Sequence, residues 1–226
     1  MFQSSSLPTS SYLSPMPTPA TKAKIKEAAV RLFNQDGMAN VRLQAIADEA
    51  VVSVGNLTYH YRNKEILIEA IWEDILEKRK TLLAEFRVLP LFADLERQLR
   101  AVFELQQDYQ FFYIDTLDLI RTFPGIAQSW RAHQEWQTAA VKNMLDFSVA
   151  RAVFQAEFFP GFFEQVAEQY WLISDGWVGR QRSMGRPEDD FSAYHQSIWQ
   201  LLFPLLTPLG RQEYEQTRSL IQQGLL

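Results

Sequence analysis

The chain has 226 residues, 47% hydrophobic and 22% charged, with a net charge of −5 and no cysteine. This length suits two small domains or one large one, and the missing cysteine excludes disulfides, thiolate metal sites and a cysteine nucleophile. No apolar run approaches the roughly 18 to 20 residues of a membrane span, and the opening MFQSSSLPTSSYLSPMPTPA lacks the basic region and apolar core of a secretory signal, so a cytoplasmic protein is expected.

Charge is unevenly spread. From Ala20 to Lys64 seven Lys/Arg stand against four Asp/Glu, whereas from Val88 onward eleven stand against seventeen. A positive end steers toward phosphate while an acidic remainder stays off a polyanion.

Residues 1–20 are rich in Ser, Pro and Thr without periodicity and read as a disordered tail. Thr21 can cap a helix from Lys22 to about Asp36, with Ile25, Ala28, Ala29, Leu32 and Phe33 as its apolar stripe and Gly37 as its stop. From Val41 to Lys64 two short amphipathic helices follow. Leu43, Ile46, Ala47 and Ala50 share one face, and Val54, Leu57 and Tyr61 share another. Ser53 is placed to cap the second helix. With Leu57 and Tyr61 inward, Asn56, Tyr59 and His60 are expected to face out, offering amide, phenol and imidazole groups beside Arg62 and Lys64. That surface suits base edges and phosphates. A longer helix from Lys64 to about Phe86 then leads into the rest of the chain.

The stretch Lys22–Lys64, with the helix after it, resembles the DNA-binding domain of the TetR family of bacterial transcriptional regulators. The matching features are AAVRLFNQDG at the end of the first helix, IADEA in the second, V-S-x-G-x-L opening the third, and Tyr61 before the N-K-E-x-L that opens the fourth. The resemblance implies an all-α protein: an N-terminal three-helix bundle with a helix-turn-helix (21–66), followed by a larger helical domain (67–226) for ligand binding and dimerisation. It further implies a DNA-binding regulator, a repressor by family habit, acting as a homodimer on a near-palindromic double-stranded operator. Two departures stand out. Arg42 occupies a position where many members have a capping Thr, leaving Asn40 to substitute or Arg42 to hold a phosphate. The third helix reads G-N-L-T-Y-H-Y where G-T-L-Y-H-Y-F is commoner. The expected DNA-binding set is Arg42, Gln44, Ser53, Val54, Gly55, Asn56, Thr58, Tyr59, His60 and Lys64, with Lys64 as a phosphate anchor.

Beyond Val88 helical spacing predicts segments at Leu91–Gln107, Tyr109–Thr122, Ile126–Ala156, Phe162–Met184, Pro187–Leu206 and Pro208–Gln223, with no strand pattern. Glu188, Asp189 and Asp190 are expected in the first turn of the fifth, against the positive end of its dipole. Aromatic residues crowd this half. Tyr109, Phe112, Trp130, Trp136, Tyr170 and Trp171 read either as plain core or, as the resemblance implies, as the wall of a site for a mostly apolar small-molecule effector. Gly176 and Gly179, three apart inside a helix, each destabilise it by about 1 kcal/mol relative to alanine. They mark the close approach of another helix, either a dimer partner or a neighbour within the chain.

The nearest alternative is a regulator of the same fold without a small-molecule effector, and other readings find less support. His60, His133 and His195 have no ligand spacing, so no metal site is expected. No phosphate-cradling loop, nucleophile elbow or paired histidine motif supports a helical enzyme, and no cofactor is implied. A helical adaptor would leave Asn56, Tyr59 and His60 unexplained.

Overall fold

Apolar residues at three-and-four spacing dictate helices through most of the chain, and the computed structural model, which describes residues 19–86 and 91–225, contains eleven α-helices among them. The expected tail lies outside the described residues, except that Pro19 and Ala20 belong to the first helix. The helices are α1 (Pro19–Asp36), α2 (Leu43–Glu49), α3 (Val54–His60), α4 (Lys64–Phe86), α5 (Phe92–Asp108), α6 (Gln110–Ile114), α7 (Thr116–Thr122), α8 (Pro124–Ala150), α9 (Phe162–Ser183), α10 (Phe191–Leu202) and α11 (Pro208–Gln222).

Ile25, Ala28, Ala29 and Phe33 of α1 are buried, as are Ile46 and Ala47 of α2, Leu57 of α3, and Leu67, Ile68 and Ile71 of α4, and together they form the core of the N-terminal bundle. The same core continues into the C-terminal helices. There α4 packs on α5 and α8, and α9 lies against α8, α6 and α10. A second join supplements α4. The Asn34 amide of α1 donates to the Asp108 carbonyl at 2.9 Å and accepts from the Phe111 N–H at 3.0 Å, and Phe33 meets Phe111 with ring centroids 5.2 Å apart; Lys26 of α1 pairs with Asp74 on α4 itself.

Three of the expected helices differ in their bounds. The single helix over 109–122 is split at Asp115 into α6 and α7; the Thr116 hydroxyl donates to the Phe112 carbonyl at 2.6 Å, a local bond that bends helices. The helix expected to reach Ala156 ends at Ala150, because Ala152 turns left-handed (φ 60°) and the Val153 N–H donates back to the Ser148 carbonyl. The chain then pairs in an extended conformation, Gln155 N–H to the Leu205 carbonyl and Thr207 N–H to the Val153 carbonyl, around one isolated bridge between Phe154 and Leu206.

The helix expected from Pro187 starts instead at Phe191, with the Asp190 carboxylate accepting from the Ala193 N–H. Glu188 stays outside it, since its carbonyl accepts from both Gln107 and Trp177 side chains and its carboxylate pairs with Arg182. This helix also stops short, at Leu202, with a 3-10 turn over Phe203–Leu205; Pro204 has no N–H to continue it. Then α11 begins at Pro208, capped by the Thr207 hydroxyl, which accepts from the Gly210 N–H at 3.0 Å.

Candidate functional site

Seven-residue helices hold together only when their ends are satisfied and one face is buried. In α3 the Ser53 hydroxyl accepts from the Asn56 N–H at 3.1 Å, while Leu57 and, just past the helix, Tyr61 sink into the core. That anchoring turns Tyr59 outward at 73% exposure, with Gly55 and Ser53 exposed and Asn56 half-buried beside it. Arg42, just before α2, and Gln44 on it are exposed, and the Gln44 amide donates to Asp48 at 2.8 Å. Arg42 supplies no side-chain cap to α2, and Asn40 does not substitute, because its amide donates to the Asp36 carbonyl and closes α1 instead. The turn between α2 and α3 passes through Val51, left-handed at φ 55° and 89% exposed.

Three residues of the expected set point elsewhere. Thr58 spends its hydroxyl on the Val54 and Gly55 carbonyls. His60 is half-buried, and its Nε2 is buried without a hydrogen-bonding partner, so the imidazole does not present both nitrogens to solvent. Lys64 turns inward: its ammonium donates to the Met38 carbonyl at 2.6 Å and the Val41 carbonyl at 2.9 Å, tying α4 to the α1–α2 connection. Burial lowers its pKa. Val54 is half-buried against the core. The exposed cations of residues 19–64 are Lys22, Lys24, Arg31, Arg42 and Arg62, of which Arg31 pairs with Glu49 of α2.

The centre of the C-terminal helices is polar. Arg79 of α4, buried among rings, donates to Tyr113 and Gln137 at 2.9 Å and to Asp175 of α9 at 2.8 Å. Its guanidinium carbon stands 5.7 Å from the ring centres of Tyr113, Trp130 and Trp171. Burial alone would lower its pKa, but Asp175 and Tyr113 outweigh that and hold it raised, so the guanidinium stays charged. Gln134 and Gln137 also donate to Asp175, at 2.9 and 3.1 Å. Beside this cluster both ring nitrogens of His133 and the Trp171 indole N–H are buried without hydrogen-bonding partners. Burial, with Arg79 adding repulsion, lowers His133 to a pKa of about 3.

Of the six aromatic residues expected to line an effector site, Phe112, Trp130 and Trp171 surround this cluster. Trp72 stacks on Phe112 at 4.6 Å and contacts Trp130 at 5.6 Å, and Trp136 lies over His133 at 5.6 Å. Tyr170 is buried edge-on to Trp171. Tyr109 is set apart, its hydroxyl accepting from Lys78. Arg79 and Asp175 escaped the sequence reading: Arg79 sits in a Lys-Arg-Lys run that looks like a solvated face, and nothing local marks Asp175 as its partner 96 residues away.

The two glycines of α9 separate. A side chain at Gly179 would lie 3.9 Å from the Tyr113 carbonyl, so α6 approaches it within the chain, whereas one at Gly176 would meet nothing within 4 Å. Next to Gly176 on the outer face, Leu172 is 77% exposed.

Comparisons with known proteins agree with this geometry. The family model described as bacterial regulatory proteins, tetR family, matches residues 25–71, and that described as bacterial transcriptional repressor, TetR, matches residues 75–214. The chain is 36% identical over 67 residues to the HTH-type transcriptional regulator UidR of Escherichia coli, covering 30% of this chain and 33% of that protein. It is 37% identical over 92 residues to RutR of the same organism, covering 40% and 43%. The chain thus spans under half the length of these curated relatives. A TetR-family regulator from Marinobacter aquaeolei superimposes with a TM-score of 0.79 at 23% identity, covering 88% of this chain and 98% of that one, which shows the shared fold. No described helix is long and apolar enough to cross a membrane, and no metal-binding cluster of His, Asp or Glu occurs among the described residues. The α2–α3 unit, the helical domain behind it and family matches that span both assign the chain to the TetR family of bacterial regulatory proteins.

Proposed function

We propose that the chain is an effector-responsive repressor that binds a near-palindromic operator as a homodimer in the cytoplasm. The observation that carries the DNA half of this reading is the outward face of α3, with Tyr59 and Gly55 exposed and Asn56 half-buried, beside exposed Arg42 at the N-cap of α2 and Gln44 on it. A recognition helix of this kind reads base edges, and surrounding cations set phosphate contacts. Footprinting on the DNA upstream of its own gene tests it. Protection of two half-sites is expected, with a log–log salt slope of about −0.9 per phosphate neutralised. Asn56→Ala and Tyr59→Ala should each reduce discrimination against an altered half-site by about 1 to 3 kcal/mol; equal loss on random DNA would reassign that residue to the backbone.

Symmetry requires two such helices about 34 to 36 Å apart. The dimer surface proposed here is the outer face of α9, where Leu172 and Gly176 are exposed, continued on α10. Gly176→Leu should yield monomers that no longer bind the operator, while a dimeric variant would place the interface elsewhere. The effector reading centres on the Arg79–Asp175 cluster. Because His133 and Trp171 leave buried polar atoms unmatched there, the effector is proposed to carry hydrogen-bonding groups within an aromatic frame rather than to be wholly apolar. Release follows if it prefers the conformation with the wrong spacing of recognition helices, since equal affinity for both conformations shifts nothing.

A further inference from the structure

A groove of about 720 Å³ opens between α5, α10 and α11, away from the Arg79 cluster. Its volume lies within the range of small-molecule sites. Its floor is Trp199, whose ring centre lies 4.5 Å from that of Tyr214 on α11. Beneath the floor the buried Glu96 carboxylate accepts from the Trp199 indole N–H at 2.8 Å, and the same oxygens lie 2.8 and 2.9 Å from His195 Nε2. The only carboxylate among the described lining residues therefore has both oxygens engaged in holding two rings that face the groove. Against it the rim carries three guanidiniums, Arg97, Arg100 and Arg218. Arg97 pairs with Asp94, and Arg100 stacks over Phe191 at 4.0 Å, which keeps its charge at the mouth. The α11 wall is fixed: Thr207 caps it, Glu213 accepts from the Phe92 N–H at 3.2 Å and pairs with Arg151, and its buried Gly210 abuts Val153.

An aromatic floor under a cationic rim suits a ligand with an apolar body and one acid group, whose anion meets guanidinium while its body covers Trp199. We propose that this groove is a binding site for amphipathic carboxylates, and that α5 carries its occupancy to the DNA-binding domain. The first half of α5 supplies Glu96, Arg97 and Arg100, and its last residue, Asp108, is held by Asn34 of α1. The two points are twelve residues apart, about 18 Å along one helix. The binding half is independent of the effector reading above; the relay half rests on it.

The test uses the full chain and the matched probes 2-naphthoate and 2-naphthamide in isothermal titration. The acid should bind saturably and at least tenfold more tightly than the amide. Arg218→Gln, on an exposed position, should abolish that difference, and Gln222→Trp, which fills the groove from α11, away from the proposed dimer surface, should remove binding of both. Equal affinity for acid and amide, or unchanged binding in both variants, overturns the site. Hydrogen exchange of α1 and α3 amides with saturating 2-naphthoate tests the relay: a change is expected in the native chain and none in Asn34→Ala, which still binds the probe. Unchanged exchange in the native chain overturns the relay and leaves the site standing. If exchange changes while operator affinity does not, it is the repressor-release reading that fails.

Discussion

Arg79 on α4 and Asp175 on α9 meet at 2.8 Å with side chains only 3% and 13% exposed, so that the helix leading out of the DNA-binding bundle is held by a charge pair at the centre of the second domain. Breaking one partner of such a pair strands the other charge. Arg79→Met should cost about 3 to 5 kcal/mol, and pairing it with Asp175→Leu should recover much of that loss, because two apolar residues of similar volume avoid the desolvation penalty. Chemical denaturation of the single and double variants measures it; equal loss in both would mean that the charges themselves contribute little.

Val51 sits in the left-handed region, a conformation that costs a β-branched residue about 1 to 2 kcal/mol, and its side chain gains nothing from burial at 89% exposure. Val51→Gly removes that strain but loses about 0.5 to 1 kcal/mol to chain entropy. Val51→Asn keeps most of the gain, since Asn tolerates this region. Both should raise the melting temperature, Asn by more, without altering the α3 surface; a lower melting temperature for both would mean that the turn is not strained.

For Lys64 the expected phosphate anchor becomes a structural tie. Removing its two charge-assisted bonds to the Met38 and Val41 carbonyls with Lys64→Met should destabilise the DNA-binding bundle by about 1 to 3 kcal/mol. Exchange of α2 and α3 amides should speed up even without DNA. A residue acting only on phosphate would weaken binding and leave that exchange untouched.

Set beside α3, Lys64 and Arg79 show what was legible in the chain and what was not. Ser53 as a cap, and Leu57 and Tyr61 as the inward stripe of α3, follow from rules that act within a few residues, and the structure has them so. The bend at Asp115 and the late start of α10 depend on side-chain bonds that compete with the helix, Thr116 to Phe112 in one case and the partners of Glu188 in the other. Lys64 and Arg79 depend on partners 23 and 96 residues away. Periodicity records which face is apolar, and a cation drawn inward by distant carbonyls or a distant carboxylate leaves no trace in it.

His133 gives a pH signature. Its folded pKa of about 3 lies below its ordinary value of 6.5, so the unfolded chain binds the proton first as pH falls. The stability this neutral ring retains is present above pH 6.5 and declines as pH drops toward 3, by at most about 1.4 kcal/mol per pH unit. Between pH 6.5 and 5 the native chain should lose stability more steeply than His133→Phe. Identical slopes in the two would mean that the imidazole is protonated in the folded protein.

Gly210 is buried where a side-chain carbon would stand 2.0 Å from the Val153 carbonyl oxygen, a backbone atom that cannot move aside alone. Gly210→Ala should therefore push α11 off the end of α8 at a cost of about 1 to 3 kcal/mol or more. Limited proteolysis should then cut first within 207–225. A variant as resistant as the native chain would show that the pairing around Val153 gives way without loss.

The backbone pairing of residues 153–155 with 205–207 has a consequence for α9 and α10, which lie between the two paired segments. Each of the two helices is clamped within a closed loop, so neither can fray from a loose end, and their opening requires the clamp to open first. Residues 153–207 should therefore behave as one cooperative unit in native-state exchange. The entropy of arranging the outer face of α9 is spent when the chain folds, so whatever surface meets Leu172 and Gly176 encounters a plate already set in shape and loses little more conformational freedom on contact.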